Sequence, residues 1–216
     1  YSPTLRKYHQ ILWSKALPTG QKFDLDESTP RLLHHKSELG EFFLSSDAIG
    51  HTYKNTKKMA DIVSKVPSDQ LNPFFSLCST IGGYIVFPSK RIENKMTING
   101  ARGVNHKIQD RFDLTLECIC YFYNDEVSPL SDTLQRYAPF FHLFRNFKGY
   151  VDFFLLQDLV EDDYSSPKFF LPFSGFGQSP LPRTVDEYLV YKDNLMAFVA
   201  RRNKRILDEI EESKAS

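Results

Sequence analysis

Four side chains that can move protons or bind cations recur at three- and four-residue spacing in one stretch of this sequence. They are one imidazole and three carboxylates: His106, Asp110, Asp113 and Glu117. On a helix, residues three or four apart share a face, so a continuous helix would align the four groups as a stripe. Such groups can bind a divalent cation or act as general acid and base, and we predict them as the candidate catalytic residues. A divalent cation is the candidate cofactor, but its identity stays open because the His-Glu-x-x-His pattern is absent.

A glycine-flanked segment, residues 99–103 with the sequence Asn-Gly-Ala-Arg-Gly, lies just before this stripe. It predicts a loop whose backbone N–H groups can hold an anion, helped by the N-terminus of the helix that follows. The candidate ligand-binding residues are Asn99, Arg102 and Gly103, and Arg111 is close enough in sequence to assist. This combination favours a phosphate-bearing ligand, either a nucleotide or a nucleic acid.

Two other interpretations of these polar residues stay open. A charged stripe opposite an apolar one is often a solvated helix face, whose acids pair with neighbouring Lys and Arg. A hydrolase using Ser45 or Ser46 as nucleophile and His51 as base would need a serine–histidine contact of about 3 Å. Neither serine lies in a Gly-x-Ser-x-Gly pattern, which disfavours that hydrolase.

The stripe and the glycine-flanked segment are positioned by predicted secondary structure. A helix is predicted over residues 106–123, because apolar residues recur along one face: Ile108, Phe112, Leu116, Ile119 and Tyr123. Residues 81–88 are rich in β-branched and aromatic side chains between Gly and Pro, which predicts a strand. Residues 95–99 are predicted to pair back with it, so the glycine-flanked segment would lie at a hairpin-to-helix junction.

The rest of the sequence predicts mostly helices. Apolar periodicity indicates helices near residues 5–16, 54–66, 71–77 and 130–147, the last one kinked at Pro139. Residues 149–160 are apolar almost all round and should be the most buried element. Residues 168–173 resemble an edge strand. A long C-terminal helix is predicted over 185–212, with the basic cluster at 201–205 as a solvated helix end rather than a phosphate-binding surface.

These elements predict a helix-rich α+β fold with a small antiparallel sheet, its strands near 81–88 and 95–99. At 216 residues the chain fits a single domain with a substantial core. Residues 1–30 are expected to form an N-terminal helix and loop packed on that domain. Aromatic residues make up 14% of the chain, so the interior should be built largely from rings.

Charge and cysteine content limit the classes of function. Lys and Arg together number 27, as do Asp and Glu, which excludes nucleic-acid binding through net charge and leaves only a local basic patch. The 3 cysteines lack Cys-x-x-Cys spacing, which disfavours a disulfide framework or structural zinc and favours a reducing cytoplasm. We find no apolar run long enough for a membrane span and no signal-peptide core, and expect a soluble cytoplasmic protein without a membrane partner.

Four stretches of the sequence resemble a family of bacterial proteins of about this size. They read HKSELGEFFLSSD at 35–47, KMTINGARG at 95–103, DRFDLTLEC at 110–118 and GYVDFFLLQDLV at 149–160. The similarity extends from the region of Trp13 to residues 201–206, which is nearly the whole chain. The members of that family form a domain of unknown function. The resemblance therefore implies a bacterial origin and a single intact domain, and it supplies no catalytic residue.

Two hypotheses of different classes follow from these patterns. The leading one is an intracellular bacterial domain that binds or acts on a phosphate-bearing ligand, by analogy in a toxin or phage-defence setting. The rival is a non-catalytic module that contacts a partner protein through an aromatic surface or the C-terminal helix. The sequence does not decide between an enzyme and a binding module, and it leaves the oligomeric state open.

Overall fold

Alternating apolar and polar residues build a nine-residue strand, β4 (Gly40–Ala48), in which Phe42 and Leu44 are buried. The computed structural model describes residues 2–215, with side chains up to residue 212. In it, β3 (Leu33–Ser37) and β5 (Tyr84–Pro88) flank β4 in an antiparallel sheet of order β3-β4-β5. The predicted helix-rich α+β class with a small antiparallel sheet is therefore confirmed.

The prediction of a strand at residues 95–99 is wrong. The partner of β5 is β4, with Ser46 opposite Val86 in the register. Residues from Ile98 onward form a helix, α4 (Ile98–Val104), because Thr97 caps it: the Thr97 hydroxyl accepts the N–H of Gly100 at 3.4 Å. Local capping chemistry therefore outweighs the β-propensity of this segment. The first three residues of the strand predicted at 81–88 form a 3₁₀ turn.

Helices make up much of the remaining described chain. In chain order they are α1 (Pro3–Trp13), α2 (Ala60–Val63), α3 (Ser68–Cys78), α5 (Phe112–Tyr123), α6 (Ser131–Arg136), α7 (Ala138–His142), α8 (Phe147–Phe153) and α9 (Val185–Ala215). A two-stranded ladder of β1 (Lys15–Ala16) and β2 (Lys22–Phe23) follows α1. The N-terminal and C-terminal helices were both expected from apolar periodicity and are confirmed. Within residues 2–215, no helix combines the length and apolar character needed to cross a membrane.

Backbone constraints shorten two of the predicted helices. The helix predicted over 106–123 begins only at Phe112, because Gln109 and Asp110 adopt positive φ values of 49° and 62° that an α-helix does not contain. The segment 130–147 divides at Tyr137 into α6 and α7, since Pro139 has no N–H to donate to a continuing helix.

Two further predicted segments differ from the structure. The helical part of 149–160 ends at Phe153, shortly before Leu155 takes a positive φ of 55°. Residues 168–173 form no strand among the described residues; Val160 and Pro167 make only an isolated bridge nearby. Proline at position 172 and the turn chemistry around it favour an irregular segment there.

Aromatic rings fill the interior where α1, α7 and α8 meet. The ring centroid of Phe154 lies 5.2 Å from those of Trp13 and Phe144 and 4.9 Å from that of Tyr150. Several of these pairs are edge-to-face or tilted, the arrangements that the ring quadrupoles favour. The prediction of an interior built from rings is confirmed, and the apolar segment 149–160 supplies much of it.

Helices cover both faces of the sheet. On one face, Asn99 of α4 donates to the Ser45 hydroxyl at 3.4 Å, and Arg102 of α4 donates to the Asp47 carboxylate at 2.6 Å. On the other face, His9 of α1 contacts the Ser46 hydroxyl at 3.1 Å. Because neighbouring residues of a strand point to opposite faces, three adjacent positions of β4 contact two different helices.

Arg202 of α9 is a fully buried cation whose hydrogen-bond partners are backbone carbonyls. Its guanidinium donates to the C=O of Gly82 at 2.8 Å and of Tyr84 at 2.7 Å, where β5 begins. It also donates to the C=O of Phe154 at 3.0 Å and of Leu155 at 3.2 Å, just after α8. Burial lowers the pKa of Arg202 to about 9, which still leaves it charged at neutral pH. The prediction of a solvated end for this part of the helix is therefore wrong for Arg202.

Close backbone approach brings α9 to these carbonyls. A Cβ atom on Gly82 would lie 2.9 Å from the carbonyl oxygen of Val199 in α9, and one on Gly83 would lie 2.2 Å from that of Cys78. Real Cβ atoms do not approach this closely, so only glycine fits at either position. Gly82 therefore lets α9 approach closely enough for Arg202 to reach the start of β5, and Gly83 allows the same close approach to Cys78 of α3.

Replacing Arg202 should severely destabilise the protein. Arg202→Met keeps an unbranched buried side chain but leaves three buried carbonyls and the partly buried carbonyl of Tyr84 without their donor, a loss of about 4 kcal/mol or more. The free energy of unfolding in urea measures the effect. Arg201→Met, at the exposed neighbouring position, is the matched control and should change stability by less than about 1 kcal/mol. Equal effects of the two substitutions would contradict the structural role of Arg202.

Candidate functional site

The four residues predicted as catalytic do not form one stripe. His106 is exposed ahead of α5, Asp110 is half-buried in the preceding turn, and Asp113 and Glu117 are buried in α5. Because the helix starts only after Asp110, the spacing that predicted a shared face does not apply across the stretch. Among the described residues, no group of three or more His, Cys, Asp or Glu side chains could hold a metal ion. Binding of a divalent cation therefore stays a prediction, and the described residues offer no metal site for it.

Arg102 connects β4, α4 and α5 from a position that is only 1% exposed. Its Nη1 donates to Asp47 at 2.6 Å and to the C=O of Ala48 at 3.0 Å. Its Nε donates to the Thr115 hydroxyl at 3.1 Å, and its Nη2 to the C=O of Asp110 at 2.8 Å. A guanidinium has five N–H donors, and four hydrogen bonds use most of them. Arg102 is thus placed to join the sheet to the helices rather than to bind a phosphate.

Asn99 and Gly103, the other residues predicted in an anion-binding loop, lie within α4. The N–H groups of Gly100 and Ala101 bond to Thr97 at the start of this helix, to its hydroxyl at 3.4 Å and to its C=O at 2.9 Å. A Cβ on Gly103 would lie 3.2 Å from a carboxylate oxygen of Asp110, so glycine leaves room for this acid. Asn99 donates to Ser45, while its Oδ1 is buried without a partner among the described residues. The predicted loop is a helix, and its glycine serves packing.

Arg111 forms a buried ion pair with Asp113, two residues away. The Arg111 Nη1 also donates to the C=O of Pro180 at 3.0 Å, and Asp113 accepts the N–H of Phe170 at 2.9 Å. Burial opposes the charge, but the Asp113 carboxylate raises the pKa of Arg111 above its ordinary value. The pair fastens the irregular segment around 170–180 to the start of α5, which is a structural role for both predicted site residues.

Glu117 is a buried acid in an unusual setting. Its side chain is 7% exposed, and its Oε2 has no hydrogen-bond partner among the described residues. Burial raises the pKa of Glu117 to about 7; a hydrogen bond with Tyr121 opposes this rise, and the charge of Glu126 reinforces it. A carboxyl group with this pKa can exchange a proton near neutrality, which is a property of general acids and bases. It lies apart from the groups around Arg102 because α5 carries Thr115 and Glu117 on different faces.

The pKa of Glu117 predicts that stability falls as pH rises. The folded protein holds the proton up to about pH 7, whereas the unfolded chain releases it near 4.5, so the penalty appears between these values. Glu117→Gln should therefore stabilise the protein by about 1–2 kcal/mol at pH 8, after allowance for solvent screening, and have no such effect at pH 4.5. Urea unfolding at both pH values measures this. Glu38→Gln, which removes an exposed carboxylate, should show no such dependence, and a pH-independent effect of Glu117→Gln would rule out the shift.

The serine-hydrolase interpretation lacks its contact, because Ser46 lies against His9 rather than His51. His9 is buried, and its Nδ1 accepts the indole N–H of Trp13 at 3.0 Å. Indole nitrogen is only a donor, so neutral His9 carries its proton on Nε2 and donates it to Ser46. Burial, reinforced by the charge of Arg202, lowers the pKa of His9 to about 3. His9 therefore cannot take a proton from Ser46, and the contact is structural.

The pKa of His9 predicts the opposite pH dependence from that of Glu117. The unfolded chain gains a proton near pH 6.5 and the folded protein only near 3, so stability is lost as pH falls through this window. At pH 5 the loss amounts to about 2 kcal/mol relative to pH 7.5. His9→Asn can still accept from Trp13 and should flatten this part of the stability profile, which urea unfolding at the two pH values measures. His106→Asn, at an exposed histidine, should leave the profile as in the unchanged protein.

His51 sits near Asp47, Arg102 and Asp110 on a backbone that is held firmly. Tyr191 donates its hydroxyl to the C=O of His51 at 2.7 Å, and the imidazole lies edge-on to the ring of Tyr53, with centroids 4.5 Å apart. Burial lowers the pKa of His51; Asp110 opposes this effect and Arg102 reinforces it. Such a group can transfer protons. Its neighbours include two of the residues predicted from sequence, Arg102 and Asp110, and none of the described residues makes a hydrogen bond to its ring.

A cleft of about 630 Å³ lies between the turn after β1 and the segment that joins α7 to α8. Its cations are Lys15, Arg145 and Lys148, and Asn146 adds an amide. We name this site the cationic cleft; it is lined also by Ala16, Leu17, Pro18, Phe144, Gly149, Asp152, Phe153 and Glu209. Its volume falls in the range of small-molecule sites, about 300–1,000 Å³.

Two of the three cations in the cationic cleft are already paired. Lys15 bonds to Glu209 of α9 at 2.8 Å, and its ammonium lies 5.3 Å from the ring centroid of Phe153. Lys148 pairs with Asp152 one turn along α8. Arg145, in contrast, is exposed, and its guanidinium makes no hydrogen bond or ion pair with another described residue. The arrangement can therefore attract an anion and offer it a free planar donor group.

The local backbone conformation explains why the Arg145 side chain is exposed at the cleft. It adopts a positive φ of 69° between α7 and α8, and the next residue, Asn146, caps α8 by accepting the N–H of Gly149 at 2.8 Å. Sequence reasoning missed the cationic cleft because Lys15 and Lys148 are far apart in the chain. The local signal is the Arg-Asn pair before the apolar segment that begins at Phe147. Such a pair ordinarily indicates a helix N-cap rather than a binding site.

Comparison with known proteins identifies the family of this chain but assigns no activity to it. Residues 1–206 match the sequence model of a family of unknown function, DUF6994, which is nearly the whole chain and confirms the predicted resemblance to such a family. No curated protein and no solved structure shows significant similarity.

Proposed function

For a chain that belongs to the family of unknown function DUF6994, we propose that the function is to bind a small phosphate-bearing ligand. The proposed site is the cationic cleft, with Lys15, Arg145 and Lys148 as the residues that attract the phosphate. This is the class of ligand that the sequence predicts, at a different place from the predicted residues. Arg102 and Arg111 are buried and engaged in structural hydrogen bonds, which leaves the surface cations as the better candidates.

The observation that supports the proposal most is the free guanidinium of Arg145 at the rim of the cationic cleft. Arginine presents parallel N–H donors that match two phosphate oxygens, and such charge-assisted bonds are stronger than neutral ones. The ammonium groups of Lys15 and Lys148 line the same cleft and add positive potential. Asp152 and Glu209 hold these lysines in place, and neither carboxylate forms an ion pair with Arg145.

The proposal includes a bacterial, cytoplasmic setting. Cys78, Cys118 and Cys120 are buried free thiols, which supports a reducing compartment. Burial raises the pKa of the Cys120 thiol to about 11, so this group stays protonated and unreactive at neutral pH. The sequence resemblance to bacterial proteins supports the origin.

A protein-interaction role is the second candidate function, and one surface favours it. Tyr8 and Ile11 are 49% and 54% exposed and lie one turn apart on α1. Neighbouring apolar side chains on an exposed helix face can mark a contact with a partner protein. Neither residue lines the cationic cleft, so Ile11→Lys changes this face and separates the two functions experimentally.

Neutralising Arg145 should weaken binding of inorganic phosphate. Titration of the protein with phosphate, followed by amide chemical shifts in NMR spectra, should shift signals of residues in the cationic cleft. Arg145→Gln removes the charge at an exposed position and should raise the dissociation constant about tenfold, the value of one or two charge-assisted hydrogen bonds. Arg91→Gln, at an exposed arginine outside the cleft, is the matched control and should bind like the unchanged protein. Identical affinities for the two variants would refute the proposed site.

A further inference from the structure

The charge balance of the cationic cleft limits how many phosphates its ligand can carry. Three cations, Lys15, Arg145 and Lys148, line the cleft together with two carboxylates, those of Asp152 and Glu209, which leaves one positive charge in excess. A phosphomonoester carries about 1.5 to 2 negative charges at neutral pH, which offsets this excess and goes beyond it by at most about one charge. A polyphosphate or a nucleic-acid strand would bring further negative charge toward the two carboxylates. The cleft therefore favours a ligand with a single phosphoryl group.

The apolar lining of the cationic cleft indicates that the ligand has more than a phosphate. Of its apolar lining residues, Ala16 and Pro18 are exposed, whereas Leu17, Phe144 and Phe153 are almost fully buried. The volume of about 630 Å³ is far larger than one phosphate needs. An apolar wall next to a cationic rim matches a ligand that joins a flat, weakly polar ring to a charged group.

We propose that the cationic cleft binds a nucleoside 5′-monophosphate, with the phosphate at Arg145 and the base against the exposed side chains of Ala16 and Pro18. This inference rests on the proposed function, since it assumes that the cleft takes a phosphate. It narrows the ligand from any nucleotide or nucleic acid to a mononucleotide. Binding of a nucleic acid depends on a continuous basic groove that neutralises several phosphates, and one excess charge does not supply this.

Calorimetric titration at about 0.1 M salt with five probes tests the inference. The probes are inorganic phosphate, ribose 5-phosphate, AMP, ATP and a single-stranded DNA octamer. We expect AMP to bind at least about tenfold more tightly than inorganic phosphate or ribose 5-phosphate, because only AMP carries a base that can cover Ala16 and Pro18. ATP should bind no more tightly than AMP, and the octamer should bind less tightly than AMP.

Two variants connect the AMP affinity to the two parts of the cleft. Pro18→Ala removes an exposed ring and should reduce the advantage of AMP over inorganic phosphate by about threefold or more, with phosphate affinity unchanged. Pro30→Ala, an exposed proline outside the cleft, is its matched control and should keep that advantage. Arg145→Gln should weaken AMP and inorganic phosphate by the same factor, because both place a phosphate at this residue.

The failures of the inference and of the proposed function are distinct. If inorganic phosphate binds and is weakened by Arg145→Gln, but AMP binds no more tightly, the mononucleotide is wrong and the proposed function stands. If ATP or the octamer binds more tightly than AMP, the single-phosphate limit is wrong. If neither inorganic phosphate nor AMP binds, or if Arg145→Gln weakens neither, the proposed function fails and the inference fails with it.

Discussion

The buried guanidinium of Arg202 is the interaction on which the rest of the structure depends. A charged group without water must have its donors satisfied, and here the acceptors are carbonyls from two separate segments of chain. One segment leads into β5 and the other leaves α8, so α9 can dock only where both present their oxygens. Trp13 of α1 lies beside the same guanidinium, with its ring 5.9 Å away. The Arg202 guanidinium therefore contacts the sheet, the aromatic interior and both terminal helices, and it holds them together.

The same requirement decides which cations can bind a ligand. Arg102 and Arg111 are buried, so their donors are used by Asp47, Asp113 and backbone carbonyls that would otherwise lack partners. These arginines look like ligand-binding residues in the sequence and act as structural connections in the fold. Arg145 is exposed, and no carboxylate or carbonyl of the described chain uses its donors. Hydrogen-bond donors therefore remain for a partner outside the chain at the cationic cleft, on Arg145.

Local patterns predicted much of the fold and little of the candidate site. Apolar periodicity and turn residues identified the terminal helices, because a helix buries one face whatever it packs against. The strand predicted at 95–99 failed because Thr97 offers a side-chain cap whose energy competes with β-propensity. The stripe failed for a related reason: Gln109 and Asp110 leave the helical region, and a single interruption of that kind changes the face of every residue before it.

The sequence by itself determined the helix-rich α+β class, the aromatic interior and the membership of a family that extends over nearly the whole chain. The fold class and the aromatic interior follow from composition and from contacts between residues close in sequence, and the family membership follows from sequence similarity. Only the tertiary structure decided that Arg202 is buried, that Glu117 holds its proton to near neutrality, and that Lys15 meets Arg145 and Lys148 at one cleft. Burial and long-range charge pairing set these properties, and both depend on residues brought together from distant parts of the chain.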